Sequence, residues 1–286
     1  DITAISRYET VSATSPGDTA ASTSTSGSQQ RQAVVELAGG GYLVVWQSSV
    51  NGEGNNGIYT QRFDANGDKI GGETRISDDA GGSFPTVMQL TDGGYVIVWQ
   101  GTGSFQTEIY ARKFDAAGNP VGGQMEVNTE TAGVQTWSNV TALGDGKYAV
   151  TWLNKADGSV RAQIFGADGQ AVGGEIEAGA DFQENGSQSP GITLLSNGRF
   201  VIVWPVLDAG GEFAARAQLF NADGSAFGGP FPVNSQSSLW QLNAKVSALP
   251  GGGFVVTWMS FFEDESQVMY SQLFDGAGNR IGVETQ

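Results

Sequence analysis

Aromatic and amide side chains lie in the least repetitive stretches of this sequence, and they are the first groups that could do chemistry. The residues concerned are Trp137, Trp240, Phe105, Phe261, Phe262 and Asn55. Aromatic rings present flat apolar faces that can stack on the C–H faces of sugars, and amides hydrogen-bond to hydroxyl groups. The combination predicts a carbohydrate-binding surface. The alternative for Trp137 and Trp240 is a structural role, as plugs between packed sheets.

Carboxylates in the same stretches are the second kind of candidate. Asp78, Asp79 and Asp264 stand next to other acidic residues, and carboxylate oxygens are the ligands that Ca²⁺ prefers. The alternative is that they are simply solvated. The chain has no Cys and no His, which excludes thiol catalysis, histidine acid–base chemistry and Cys/His zinc sites. No cofactor is required by the sequence, and calcium is the one ion left open.

These candidates are positioned by a repeated unit. The segment GGYVIVW (93–99) has five copies, each ending in a tryptophan, and successive tryptophans are about 53 residues apart. The closing tryptophans are Trp46, Trp99, Trp152, Trp204 and Trp258. We expect these five side chains to belong to the core, since every unit has one.

Each unit is predicted to be a meander of four short strands. A leucine precedes the tryptophan by nine residues across a tight turn. The strand after the tryptophan ends at a phenylalanine, which is followed by an Asx-type turn and a Gly pair. The strand Tyr95–Trp99 is apolar on both faces, so it is expected to be covered on both sides. The sequence therefore predicts an all-β fold, a five-bladed β-propeller of four-stranded antiparallel blades.

One domain, 1–286, accommodates the whole pattern. The repeats run approximately over 31–81, 82–133, 134–186, 187–238 and 239–286. The segment 1–11 is predicted to be a strand that closes the ring beside the fifth blade, and 12–30, rich in Ser and Thr, a flexible connection.

Loop lengths distinguish the two faces of the predicted disc. The first-to-second and third-to-fourth turns have constant length, so the end that holds them is called the uniform face. The second-to-third loops and the links between units vary in length, and the end that holds them is called the variable face. Recognition is usually found in variable loops on a rigid scaffold, so the ligand is expected on the variable face.

A polar residue recurs two positions before each phenylalanine. The five are Gln61, Arg112, Gln163, Gln218 and Gln272. Their regularity predicts a structural role, bridging blades by side-chain to backbone hydrogen bonds.

The net charge of the chain limits the classes of molecule that it can bind. The formal net charge is −16, from 30 acidic and 14 basic residues, and the sequence shows no basic cluster, so nucleic acid is a poor partner. The apolar runs are too short to span a membrane. A carbohydrate or cell-surface glycan fits better, and we expect a monomer, alone or as part of a larger chain.

The stretches GGYVIVWQ (93–100) and IYARKFDAAGNPVGGQMEVNT (109–129) resemble the repeats of large secreted bacterial proteins of the RTX and adhesin type. In outline the five-fold design is also similar to tachylectin-type propeller lectins. The resemblance implies a secreted, extracellular location and a lectin-like or adhesin role, and it leaves calcium dependence open.

Catalysis is the remaining alternative. A glycosidase on this scaffold needs carboxylates near the axis, yet among the first strands only one carries an acid, Glu36, and the other copies lack it. The sequence therefore predicts a non-catalytic carbohydrate-binding module and no enzyme. The first alternative function is a protein-interaction or spacer module, and the second is a glycosidase.

Overall fold

A computed structural model describes residues 19–23, 27–49, 57–78, 81–102, 106–180, 182, 189–207, 213–235, 241–262 and 266–286. Their regular structure is β-strand, arranged as five four-stranded antiparallel sheets. The all-β, five-bladed prediction is confirmed. In this part of the chain, no helix is long and apolar enough to cross a membrane.

The strands follow one another along the chain, four to a sheet. The first sheet contains β1 (Ser28–Glu36), β2 (Tyr42–Ser49), β3 (Gly57–Phe63) and β4 (Lys69–Arg75). The second contains β5 (Ser83–Gln89), β6 (Tyr95–Thr102), β7 (Thr107–Phe114) and β8 (Pro120–Glu126). The third contains β9 (Gln135–Gly144), β10 (Lys147–Asn154), β11 (Ser159–Phe165) and β12 (Ala171–Gly179).

The last two sheets repeat this order. The fourth contains β13 (Gly191–Leu194), β14 (Phe200–Leu207), β15 (Phe213–Phe220) and β16 (Ala226–Pro232). The fifth contains β17 (Gln241–Ala248), β18 (Phe254–Phe261), β19 (Gln267–Phe274) and β20 (Arg280–Thr285). In every sheet the neighbours in space are the neighbours in sequence.

Tight turns at the uniform face fix the register of each sheet. Before β6, the Leu90 amide donates to the Gly94 carbonyl at 2.8 Å, and Gly93 takes a positive φ of 84°. After β7, the Asp115 amide donates to the Asn119 carbonyl, and Gly118 has φ 90°. A residue with a Cβ is strained in this region, so glycine at these turns has a conformational cause.

The core lies between consecutive sheets. Four hydrophobic clusters join sheet one to two, two to three, three to four and four to five. All five closing tryptophans are buried, with Trp99 at 0 % exposure, and four of them, all except Trp46, belong to these clusters. Trp99 faces Tyr110 across the β6–β7 pair, and their ring centroids are 6.3 Å apart. The predicted core role of these tryptophans is confirmed.

The recurring glutamines act within a sheet rather than between blades. The Gln163 side-chain amide donates to the carbonyls of Ile164 at 2.9 Å and Val172 at 3.2 Å, which joins β11 to β12 where their register shifts. Gln61, Gln218 and Gln272 make the same pattern. The predicted side-chain to backbone bonds are present, but the glutamines bridge the third and fourth strands of their own sheet. Arg112 is different, because it reaches back to the Ile76 carbonyl of the first repeat.

Links between sheets are held by a side chain on the fourth strand. The acceptor–donor pairs are Gln124 Oε1 with the Asp78 amide, Glu175 Oε1 with the Glu130 amide, and Glu284 Oε1 with the Ser235 amide. Glu73 holds the Thr23 amide in the same way at 2.7 Å. The segment predicted as a flexible connection, 12–30, is thus anchored at Thr23, and its last three residues already belong to β1.

The first and fifth sheets are more exposed to solvent than the inner three. The middle strands β6 and β10 are buried on both faces, whereas β18 alternates between buried and half-buried residues. Met269 and Leu273 of the fifth sheet, and Val34 of the first, are 55 %, 42 % and 60 % exposed. The fifth sheet takes its fourth strand, β20, from its own repeat. The predicted closing strand, 1–11, lies outside the described residues.

Candidate functional site at the axial mouth

The first strand of each sheet lies nearest the axis. β1 contacts β5, β5 contacts β9, β9 contacts β13, and β13 contacts β17, so the five inner strands follow one another around a common centre. Each inner strand enters from a link on the variable face and leaves through a tight turn on the uniform face. The first residues of these strands therefore surround the variable-face end of the axis.

Four of the five inner strands carry a bulge at this end, and at each bulge one non-glycine residue has a positive φ. These residues are Arg31 (φ 54°), Phe84 (φ 52°), Trp137 (φ 53°) and Asn243 (φ 58°). Each stands six positions before the repeated leucine, where the pairing with the second strand shifts register. The set is called the axial mouth from here on.

Backbone strain of this kind has a cost and a use. Bulky residues rarely adopt φ > 0, and each such residue costs about 1–3 kcal/mol unless its surroundings hold it in place. Bulges also re-aim side chains, and they are enriched beside active sites. Four strained residues at one repeat position make the axial mouth the best-supported functional site in the described residues.

Three of the four mouth residues, Arg31, Phe84 and Trp137, are linked across the sheets. The Arg31 guanidinium lies 3.6 Å from the centroid of the Phe84 ring, a cation–π contact between the first and second sheets. Phe84 in turn packs against the cluster that contains Trp137 of the third sheet. The Trp137 ring is 6.1 Å from the Phe182 ring, and Lys155 Nζ lies 5.0 Å from its centroid. The mouth is thus a connected arc of aromatic and cationic groups.

The residues singled out in the sequence are distributed as follows. Trp137 belongs to the axial mouth but is only 7 % exposed, so little of its ring faces solvent. Phe261 ends β18 on the variable face and Phe262 follows it, both half-buried. The Phe262 amide donates to the Ser266 carbonyl at 2.9 Å. Trp240, Phe105 and Asn55 lie outside the described residues, so their binding role stays a prediction.

The calcium candidates are equally dispersed. Asp78 is exposed, and its carboxylate lies 3.5 Å from Arg112 Nη1. Asp79 and Asp264 lie outside the described residues. Among the residues that the structure describes, no group of three or more His, Cys, Asp or Glu could hold a metal ion. The calcium site stays a prediction.

Sequence reasoning did not single out Arg31, Phe84 and Asn243 as one set. The available signal was position rather than residue type, because all three occupy the repeat position of Trp137. The side chains of Arg31 and Asn243 have nothing in common that a search for aromatic or acidic residues would detect.

A buried carboxyl group lies on the same face, away from the axis. Glu108, at the start of β7, is 3 % exposed, and its Oε2 accepts a hydrogen bond from Asn128 Nδ2 at 2.7 Å. Burial raises the pKa of Glu108, the Asn128 hydrogen bond opposes this, and the charge of Glu126 adds to the increase. In the other four sheets, the third-strand residues at the position of Glu108 are Gly57, Ser159, Ala214 and Val268. Only the second sheet has a carboxyl group there. A carboxyl group this buried does not reach a ligand at the mouth, so we assign it to stability.

Glu108→Gln is expected to change how stability depends on pH. The pKa of Glu108 is higher in the folded chain than in the unfolded one, so its stabilising contribution is complete below the unfolded pKa and is lost as pH rises through the raised value. From about pH 4 towards neutral pH, the variant should therefore gain stability relative to the wild type, and above the raised pKa the difference should level off. Urea denaturation of both proteins over a pH series measures this.

Glu126→Gln is the matched control, because Glu126 is exposed and its removal leaves the buried carboxyl group in place. Its stability curve should keep most of the pH dependence of the wild type. Parallel curves for Glu108→Gln and the wild type would contradict the assignment.

Several solved structures share this fold. A protein of unknown function from Dyadobacter fermentans matches with a TM-score of 0.55 at 9 % identity, covering 90 % of this chain and 83 % of that one. An endo-arabinase from Bacteroides thetaiotaomicron matches at 0.48 and 13 %, covering 84 % and 92 %. An α-L-arabinofuranosidase from Fusarium graminearum matches at 0.48 and 9 %, covering 86 % and 93 %. No protein-family model and no curated protein sequence matches the chain. At these identities the likeness shows the fold alone.

The comparisons correct one prediction. The sequence predicts a non-catalytic module and no enzyme, but the matching structures with a stated activity are mostly glycoside hydrolases. The exclusion rested on the absence of an acid repeated in all five units. That reasoning is wrong in principle, because a catalytic group needs to occur in only one sheet. The described sheets form a five-bladed propeller, and the lack of a repeated acid does not rule out an enzyme on it.

Proposed function

We propose that this propeller acts on a carbohydrate, which it holds at the axial mouth on the variable face. The observation that carries the proposal is the arc of four strained residues, Arg31, Phe84, Trp137 and Asn243, gathered around one axis by the inner strands. Strain maintained at the same place in four sheets indicates selection for where the side chains point.

The chemistry of the mouth suits a neutral polyhydroxylated ligand. The half-buried Phe84 ring offers an apolar face, while the exposed Arg31 and Asn243 offer donors and an amide oxygen for hydroxyl groups. In the described part of the chain, the variable-face ends of the four bulged strands contain no Asp or Glu.

Turnover of that sugar would need two carboxyl groups beside the glycosidic bond. The variable-face loops are the part of the sequence that can supply them, with Glu53 and Glu184 among their acidic residues. The proposed setting is extracellular, as the resemblance to secreted bacterial repeat proteins implies, with a cell-surface or environmental glycan as the substrate.

Replacing Arg31 by Ala is expected to weaken sugar binding at least tenfold, since the cation that lies over Phe84 and its donors are removed together. Calorimetric titration against arabinan, mannan and glucan oligosaccharides measures binding, and release of reducing ends from the same panel measures turnover. Arg216→Ala is the control, because Arg216 is an exposed arginine on β15, the third strand of its sheet and not an inner one. Its affinity should equal that of the wild type.

Two results would overturn the proposal. One is a panel in which no oligosaccharide binds the wild type. The other is an affinity that Arg31→Ala and Arg216→Ala change equally, which would place the sugar elsewhere.

A further inference from the structure

The disc has four packed junctions between consecutive sheets, and the junction between the fifth and first sheets differs from them. Consecutive inner strands contact each other from β1 to β17, but β17 and β1 make no comparable contact in the described part of the chain. The four hydrophobic clusters follow the same order, and none of the four contains residues of both the fifth and the first sheet. This junction, with β17 to β20 on one side and β1 to β4 on the other, is called the seam from here on.

Residues at equivalent repeat positions show that the seam is open to solvent. Leu219 and Leu273 both stand one position before the strand-ending phenylalanine. Leu219, between the fourth and fifth sheets, is 1 % exposed, whereas Leu273, at the seam, is 42 % exposed. On the opposite wall, Val34 of β1 is 60 % exposed, while its counterpart Val140 of β9 is 2 % exposed. Apolar side chains that are buried at a packed junction therefore face water on both walls of the seam.

The turn glycines at the uniform face show the same difference. At four of them, a Cβ would come within 4 Å of a side chain of the preceding sheet; the glycines are Gly118, Gly169, Gly224 and Gly278, and the side chains are Arg62, Met125, Ile176 and Phe231. At Gly67, the counterpart in the first sheet, a Cβ would meet only Tyr42 of its own sheet among the described residues, at 3.9 Å. The seam is thus also open at its uniform-face end.

One side chain on β17 differs in size and charge from its equivalents at the packed junctions. Four positions before the repeated leucine, the five inner strands carry Ala33, Thr86, Asn139, Gly191 and Lys245. This position faces the next inner strand, because a Cβ on Gly191 would stand 3.2 Å from Val246 Cγ1 of β17. Val34 is the counterpart of Val246 on β1, so Lys245 faces Val34 across the seam.

A packed junction has no room for a lysine at this position, since the first carbon of a side chain at Gly191 is already in tight contact. Lys245 is exposed, yet desolvation lowers its pKa, and it makes no ion pair with a described residue. An exposed lysine with a lowered pKa lies in an open cleft, where protein atoms surround it but water still reaches it. Closing the seam would remove that water, and the burial of a charge without a partner is costly.

We propose that Lys245 is the wedge that keeps the fifth and first sheets apart, and that the disc opens and closes at this seam. Closure is favoured because it would bury Leu273 and Val34, and it is opposed by the ammonium group between the two walls. Arg31 and Asn243 stand on opposite sides of the seam, on β1 and β17. The width of the seam therefore also sets the width of the axial mouth. The inference goes beyond the proposed function, because no part of it requires a sugar.

Thiol labelling measures the seam directly, because the chain has no cysteine of its own. With a maleimide reagent, the thiol of Leu273→Cys should react at least tenfold faster than that of Leu219→Cys, which occupies the same repeat position in a packed junction. Lys245→Thr gives the fifth sheet the side chain that the second has at this position. Added to Leu273→Cys, it should slow labelling at least tenfold and raise the melting temperature, because the apolar walls can meet.

Lys245→Arg is the matched control, because it keeps both the length and the charge of the wedge. Its labelling rate and melting temperature should equal those of the chain with Lys245. Val34→Cys gives a second measurement from the opposite wall, and Lys245→Thr should slow its labelling in the same proportion.

Three results would overturn the proposal. The first is labelling of Leu273→Cys as slow as that of Leu219→Cys, which would show that the seam is packed or covered by another part of the chain. The second is a Lys245→Thr variant in which neither labelling nor melting temperature changes. The third is an equal effect of Lys245→Arg and Lys245→Thr.

Discussion

Trp99→Ala is expected to lower the free energy of unfolding by about 3–5 kcal/mol, the usual cost of removing a large buried aromatic side chain. Trp99 is fully buried in the cluster between the first and second sheets, where it stacks on Tyr110. Its indole Nε1 has no acceptor among the described residues. The loss should therefore come from packing alone. Chemical denaturation followed by circular dichroism measures it.

Trp152→Ala is the comparison that separates packing from hydrogen bonding. Trp152 is equally buried, but its Nε1 donates to Gln135 Oε1 at 3.0 Å. Its removal should cost about 1 kcal/mol more than that of Trp99, because the Gln135 oxygen is left unpaired. A loss below about 1 kcal/mol for Trp99→Ala would show that the cluster is not a packed core.

The second large effect is expected at a glycine with no special φ. A Cβ on Gly94 would stand 2.4 Å from the carbonyl oxygen of Phe114 and 3.1 Å from Asp92 Oδ1. The first contact is with backbone, so it is relieved only by moving β6 away from the turn after β7. Gly94→Ala should therefore cost about 3 kcal/mol, at the upper end of the range for overpacking.

Gly123→Ala is the matched control for this variant. Gly123 lies on the exposed strand β8, and a Cβ there would meet nothing within 4 Å. Its melting curve should coincide with that of the wild type, because the same methyl group is added in open space. If Gly94→Ala were as stable as Gly123→Ala, the close approach of the turn to β6 would be wrong.

The fold was accessible from sequence because its constraints fall on fixed residue types. The turn glycines need a positive φ and the buried strands need large apolar side chains, so Gly118 and Trp99 are matched by like residues in every repeat. The glutamines were harder to interpret. Their regularity indicates a structural bond, but only the register shift between β11 and β12 shows that the bond stays within one sheet.

The candidate site was not accessible in the same way. At the axial mouth the backbone is constant while the side chains are not, and Arg31, Phe84 and Asn243 look unrelated until their shared φ is known. Trp137 was found by its type, and its burial agrees with the structural alternative that its sequence also allowed.

The order of the strands has a consequence for synthesis. Every sheet is made of four consecutive strands, so each can pair as soon as its own repeat has left the ribosome. One apolar face of the newest sheet stays uncovered until the next repeat of about 53 residues emerges, which takes roughly 3–10 s at typical elongation rates. The nascent chain thus exposes one leading sheet face at a time, and the need for chaperone protection moves along the chain without growing with its length.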